Sequence, residues 1–309
     1  MCKISGVIFD ADTHNKTDLV LHHNTRLIEH TEGVNTHATG VAVVSTQGDV
    51  HVYKNSKTAS KFVQDIEYKK FIVNNVNDDT FAVINHCRYA TQGSNLINAN
   101  NHPIVDGPIV GVHNGVISND DILGKKYGRV AEVDSAVIFS ILKSTPNNKT
   151  SLEDIKTTMD LLEGSATVVL VDKRNFADEP QLFIAKKNNP MNFIKLDSCL
   201  WFASTSQILS SFIREPIVRG TRDYSDTLDL SIRGMMNHTA RVFTNDSVKA
   251  DWWLHSKKIE LTEPQRFKMA TTYQSKKDDD WVKVYRNDDD YDYNWGDYQY
   301  MLQEELLDE

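Results

Sequence analysis

Along the first two thirds of the chain, short runs of aliphatic and β-branched residues alternate with segments whose apolar positions recur at helical spacing. KISGVIFD (3–10) predicts a strand entering a polar loop. TGVAVVST (39–46) and DVHVYKN (49–55) predict a hairpin turning at Gln47-Gly48-Asp49. SKTASKFVQDIEYKKF (56–71) predicts one amphipathic helix with Phe62, Ile66 and the Lys69 stem on a common side. TFAVINHCRYAT (80–91) starts as a strand and runs into polar residues, and PIVGVHNGVIS (108–118) predicts a strand that breaks at Asn114-Gly115. DSAVIFSILK (134–143) predicts a short helix with Asp134 near its N-cap, and LEDIKTTMDLLEG (152–164) a helix stopped by Gly164. ATVVLVDK, QLFIAKK and CLWFAST predict further strands, and SQILSSFI a short helix before Pro216.

Strands interleaved with helices predict a layered α+β or α/β domain whose sheets are covered by helices. The pattern is weaker beyond residue 215. RGTRDYSDTLDLSIRG (219–234) suggests a hairpin, and VKADWWLHSKK (248–258) an exposed tryptophan pair. From Lys276 to Glu309 there are four basic and twelve acidic residues, so nearly all of the net charge of −9 belongs to this segment. Its high charge and few aliphatic residues predict disorder, whereas its seven aromatic residues predict a docking element. The expected organisation is a domain at 1–215, an extension at 216–275 that packs on it, and an acidic aromatic tail at 276–309.

The 309 residues, 40% hydrophobic, suffice for one large core or two modest ones. No apolar run reaches the ~18 residues of a membrane span, and no basic leader precedes a long apolar stretch, so a cytoplasmic protein is expected. The negative balance argues against direct nucleic-acid binding. Cys2, Cys87 and Cys199 are too few and scattered for a disulfide framework or a CxxC metal site, which suits a reducing compartment.

Cys2 stands where trimming of Met1 would place a thiol and a free α-amine on one residue. With ordinary pKa values near ~8.5 and ~7.7–8.0, the amine can take the thiol proton near neutrality. By itself a Met-Cys start means little, and a small residue tucked under a first strand explains it as well. Four further segments change the weighing: HCRYATQG (86–93), NNHP (100–103), VHNGVI (112–117) and VDSAVI (133–138). In order and spacing they resemble the class II glutamine amidotransferases, a family of N-terminal-nucleophile hydrolases. LLEGSATVVLVDK, AKKNNPMNFIKL and WFASTSQIL resemble later segments of that family, so the resemblance covers about the first 215 residues. The five motifs are specific together and weak singly.

The resemblance implies a four-layer αββα sandwich and release of ammonia from L-glutamine through a Cys2 thioester, with no metal or other cofactor. It implies that Arg88 grips the substrate α-carboxylate and Asp134 its α-ammonium. Thr91 would add a hydroxyl contact, Tyr89 takes the place of a family aromatic residue, and His102 shapes the pocket wall. Asn114 and Gly115 match the oxyanion pair, whereas His86 and His113 are read as structural. Without the flanking motifs, Arg88 reads as a surface ion pair, Asp134 as a helix cap, His102 as a satisfied structural histidine and Asn-Gly as a turn. Two departures stand out: Lys3 replaces a glycine after the nucleophile, and in VNTHATG (34–40) Val34 and His37 replace the family's arginine and aspartate. The chain is read either as a stand-alone glutaminase or as feeding a separate ammonia-accepting synthase reached through the acidic tail, in a compact form resembling bacteriophage amidotransferases. The rival readings are an amidase acting on another γ-glutamyl amide and a retired enzyme serving as a scaffold.

Overall fold

The computed structural model describes residues 2–34, 36–146, 149–177, 179–219, 232–248, 253 and 256–262, with strand pieces at 272–273 and 282–283. The chain divides into two compact units, Met1–Glu263 and Pro264–Glu309. In chain order, the strands of the first unit are β1 (Lys3–Phe9), β2 (Ala38–Ser45), β3 (Val50–Asn55), β4 (Thr80–Arg88), β5 (Ile104–Asp106), β6 (Ile109–Ile117), β7 (Gly164–Asp172), β8 (Leu182–Lys187), β9 (Asn192–Leu196), β10 (Cys199–Ala203), β11 (Arg233–Gly234), β12 (Thr239–Phe243) and β13 (Lys257–Glu260). They form a seven-stranded sheet in the order β11-β9-β10-β1-β4-β2-β3 and a six-stranded sheet in the order β13-β12-β8-β7-β6-β5. In the second unit, β14 (Thr272–Tyr273) pairs with β15 (Val282–Lys283).

Alternation along the strands sorts side chains into three cores. On β1, Ile4 and Ile8 face the other sheet, where they join Ala42, Ile84, Val112 and Ile184. Val7 and Phe9 face the opposite way, into a core built with α2 (Thr25–His30), α3 (Ala59–Gln64), α4 (Ile66–Asn75) and α8 (Ser206–Phe212), the first turn α1 (Lys16–Asp18) lying upstream. The outer face of the second sheet packs Val168, Leu170 and Phe183 against α5 (Asp120–Tyr127), α6 (Ala136–Lys143) and α7 (Leu152–Leu161). Helices, sheet, sheet and helices therefore stack as an αββα sandwich, the fold the resemblance implies. Among the described residues no helix is long and apolar enough to cross a membrane.

Several local expectations change. Segment 56–71 makes two helices, not one, because Asp65 sits in an extended conformation and its carboxylate accepts the Glu67 N–H at 3.1 Å. That break rotates the second helix: Ile66 is 59% exposed, while Tyr68 and Ile72 face the core. Strand β6 runs unbroken through Asn114-Gly115, which pair with Thr167 and Ala166. Helix α7 ends at Leu161, where the buried Lys187 ammonium donates to the Leu162 carbonyl at 2.6 Å and the Met159 carbonyl at 3.4 Å; Gly164 already belongs to β7. Trp253 is half-buried against Phe193, with the Arg241 guanidinium 3.8 Å from its ring centre. Its neighbour Trp252, most of the 219–234 hairpin and almost all of the acidic tail lie outside the described residues.

Candidate active site

Cys2 immediately precedes β1 and is half-buried. The first pairs of β1 with β4 set Lys3 opposite Cys87, which leaves the thiol beside the end of β4. The Tyr89 N–H donates to Cys2 Sγ at 3.3 Å, and the thiol lies 3.4 Å from the Tyr89 carbonyl oxygen. Burial pushes the thiol pKa up. The contact with Tyr89 and the charge of Arg88 act against that shift, and Asp134 adds to it. The electrostatic neighbourhood of the thiol thus already contains the two charges that the resemblance assigns to substrate binding.

Arg88, the last residue of β4, is only 3% exposed. Its Nη1 donates to Asn101 Oδ1 at 2.9 Å, and its Nη2 donates to the carbonyls of Gln92 and Gly93. Every one of these acceptors is neutral. Among the described residues no carboxylate pairs with Arg88, although burying an uncompensated cation costs several kcal/mol. Such a guanidinium is set for an anionic ligand, and its planar fork suits a carboxylate.

The loop after β4 is tied down along its length. Asn101 Nδ2 donates to the Asn95 carbonyl at 2.7 Å, and Asn100 bridges the Ser94 carbonyl and Glu132. His37 Nδ1 accepts the Ala90 N–H at 2.9 Å, and its ring stacks on Tyr89 with centroids 5.2 Å apart. The histidine that departs from the family pattern therefore holds this loop directly. Thr91 lies exposed on the same loop.

Asp134 lies in the turn before α6, beside the end of β6. Its Oδ2 accepts the Ile117 N–H at 2.9 Å, and its Oδ1 accepts the Ser135 N–H at 2.8 Å. Ile117 is the last residue of β6, so this carboxylate joins the end of the strand to the entry of α6. Among the described residues it pairs with no cation. Strand β6 packs across from β1 and β4. Asn114 is buried, and its side-chain Oδ1 has no hydrogen-bond partner among the described residues. Gly115 cannot carry a side chain: a Cβ there would lie 1.9 Å from the Ser165 carbonyl oxygen and 2.7 Å from His113 Nε2.

Three buried histidines fill the layer behind these groups. His86 Nε2 lies 3.0 Å from the His113 carbonyl oxygen and joins the two sheets. The His102 ring lies tilted against His86 with ring centres 4.2 Å apart, and neither of its ring nitrogens has a hydrogen-bond partner among the described residues. Burial depresses all three pKa values, that of His86 to about 3, and so keeps the rings neutral.

Sequence reasoning passed over Asn101, His37 as a support, and Lys54. Asn101 lay inside the quoted NNHP motif, but nothing in the motif says which asparagine meets Arg88. Lys54 lies 47 residues from the carbonyl it binds, beyond any local pattern. Among the described residues, no group of three His, Cys, Asp or Glu side chains is placed to hold a metal ion.

No family model matches the chain. It is 27% identical over 232 residues to the glutamine–fructose-6-phosphate aminotransferase (isomerizing) of Bacillus cereus, covering 71% of this chain and 36% of the relative. The enzyme of the same name from Geobacillus kaustophilus is 29% identical over 158 residues, covering 49% of this chain and 24% of that one. The chain thus spans about a third or less of the length of these relatives. In fold, it matches the glutamine phosphoribosylpyrophosphate amidotransferase of Bacillus subtilis with a TM-score of 0.59 and 13% identity, covering 85% of this chain and 50% of that chain. The structure of an allosteric regulatory enzyme of purine biosynthesis matches with the same TM-score at 14% identity, again covering 85% of this chain and 50% of that one.

Proposed function

We propose that this class II glutamine amidotransferase-like domain hydrolyses L-glutamine to glutamate and ammonia, with Cys2 as nucleophile after removal of Met1. The observation that carries the reading is a pair of buried opposite charges, Arg88 and Asp134, which have no ion-pair partner among the described residues and both act electrostatically on the thiol. A free amino acid presents a carboxylate and an ammonium to match them, and a glutamine side chain within a peptide does not. In this mechanism the α-amine of Cys2 takes the thiol proton, and the thiolate adds to the side-chain carbonyl carbon. The Asn114 side-chain amide and Gly115 N–H stabilise the resulting oxyanion, donors of a kind worth ~10²–10³ each in rate. Collapse breaks the C–N bond, and the proton held by the amine leaves with the nitrogen as ammonia. Water then adds to the thioester by the same route, giving glutamate and the free thiol.

The ammonia would pass to a separate acceptor enzyme in the cytoplasm, docked through the acidic aromatic segment 276–309. Failure of a peptide with this sequence to compete for acceptor binding would remove the docking role.

The deciding experiment is the intact mass of wild type and Cys2→Ala before and after exposure to 6-diazo-5-oxo-L-norleucine. The expected result is a mass lacking Met1 and a single adduct that the substitution abolishes. A processed wild type that takes no adduct and forms no glutamate would reject the glutaminase. Hydrolysis of a γ-glutamyl amide by that protein would then favour the other amidase, and its absence the scaffold.

A further inference from the structure

Lys54 sits on β3, the edge strand of the first sheet, opposite Gly40. A Cβ at position 40 would lie 2.0 Å from the His102 carbonyl oxygen and 2.7 Å from Lys54 Cβ. Only a glycine there lets the 101–103 segment and the lysine stem close over the same point of β2. Through that gap the Lys54 ammonium donates to the Asn101 carbonyl at 2.5 Å and the Pro103 carbonyl at 2.8 Å. A second tie joins the same pieces, since Asn98 Nδ2 donates to the Lys54 carbonyl at 3.0 Å. The residue held by the first of these bonds, Asn101, is the one whose Oδ1 accepts from Arg88 Nη1.

We propose that Lys54 is a positioning residue of the glutamine site, clamping the carbonyls on both sides of His102 so that Asn101 aims the Arg88 guanidinium at the substrate carboxylate. This inference rests on the glutaminase reading. The clamp is strongest with a charged donor, because an ammonium makes charge-assisted bonds to both carbonyls, whereas a neutral amine keeps two N–H groups but holds the carbonyls only weakly. Among the described residues no carboxylate pairs with Lys54. The titratable groups facing it are Arg88 and His86 from β4 and His102 from the loop. Burial, and then repulsion by Arg88, lower the Lys54 pKa to about 8. A carboxylate bound at Arg88 offsets that repulsion, so substrate binding and protonation of Lys54 support each other. Glutamine recognition should therefore weaken above about pH 8, independently of the thiol.

The test compares two electrophiles on the full chain, wild type and Lys54→Met. 6-Diazo-5-oxo-L-norleucine carries the α-carboxylate, whereas iodoacetamide reports only on the Cys2 thiol. Lys54→Met is expected to slow labelling by the analogue roughly tenfold or more and to raise KM for glutamine with little change in kcat, while alkylation by iodoacetamide stays within about twofold. Lys54→Arg should restore much of the loss. In wild type, the ratio of analogue to iodoacetamide labelling should fall above about pH 8, a readout that does not depend on a variant folding. A flat ratio from pH 7 to about 9.5, or equal analogue labelling in Lys54→Met, would overturn the clamp. A wild type that takes iodoacetamide but not the analogue would instead sink the glutaminase reading, and the clamp with it.

Discussion

At the scale of single residues, the site is governed by what Arg88 lacks. Its three acceptors among the described residues are an asparagine oxygen and two backbone carbonyls, which orient a guanidinium without neutralising it. Lysine at this position would keep the charge but lose the fork that reaches Asn101 and the 92–93 carbonyls together. Arg88→Lys is therefore expected to cost about 2 kcal/mol in glutamine recognition, a roughly thirtyfold rise in KM, with the iodoacetamide reactivity of Cys2 largely kept. Steady-state glutaminase kinetics would check it, and an unchanged KM would remove Arg88 from carboxylate binding. Cys87 and Cys199 offer no competing nucleophile: burial pushes both thiols up to about 12.

Secondary-structure elements are fixed as much by their ends as by their apolar stripes. Helix α7 opens with a capping box in which Ser151 and Asp154 bond each other's backbone N–H groups. It closes on Lys187, a residue of β8 whose buried ammonium takes up carbonyls that the helix leaves open at its end. Lys187→Met keeps the stem and removes the donor, so it should destabilise the domain by about 1–3 kcal/mol. Chemical denaturation would show this as a lowered midpoint with an unchanged slope, and an unmoved midpoint would mean that water serves the helix end equally well. The end of β6 has the same logic, for Asp134 caps it by accepting the Ile117 N–H.

Across the whole molecule, the layer between the sheets is apolar along most of its length and turns polar at the site end, where His86, His102 and His113 are buried. Their pKa values lie below the unfolded value of ~6.5, so the unfolded chain takes up protons that the folded one refuses. Their contribution is fully present above pH ~6.5 and is lost as the pH falls toward the folded values, by about 1.4 kcal/mol per pH unit for each histidine. Stability measured by denaturant should therefore fall as the pH drops below ~6.5, with a net uptake of protons on unfolding. A curve that stays flat down to pH 4.5 would show that the imidazoles protonate in place.

The sequence by itself determined the elements and the chemistry they can carry. Period-two runs marked the strands, and the motifs that hold Cys2, Arg88, Asn114, Gly115 and Asp134 resembled those of one family. Such information is local or shared by a family, so a single chain can show it. The tertiary structure decided what lies between those residues. Asp65 splits a helix that periodicity alone reads as continuous, because an extended residue resets the helical phase without disturbing composition. Asn114-Gly115, a turn signal in isolation, stays in a strand because β7 supplies the partners and a glycine is required against Ser165. His37 and Lys54 act on the loop of Arg88 through contacts 53 and 47 residues apart in the chain. No pattern along the sequence encodes such contacts, since they exist only once two sheets have stacked and a loop has closed over an edge strand.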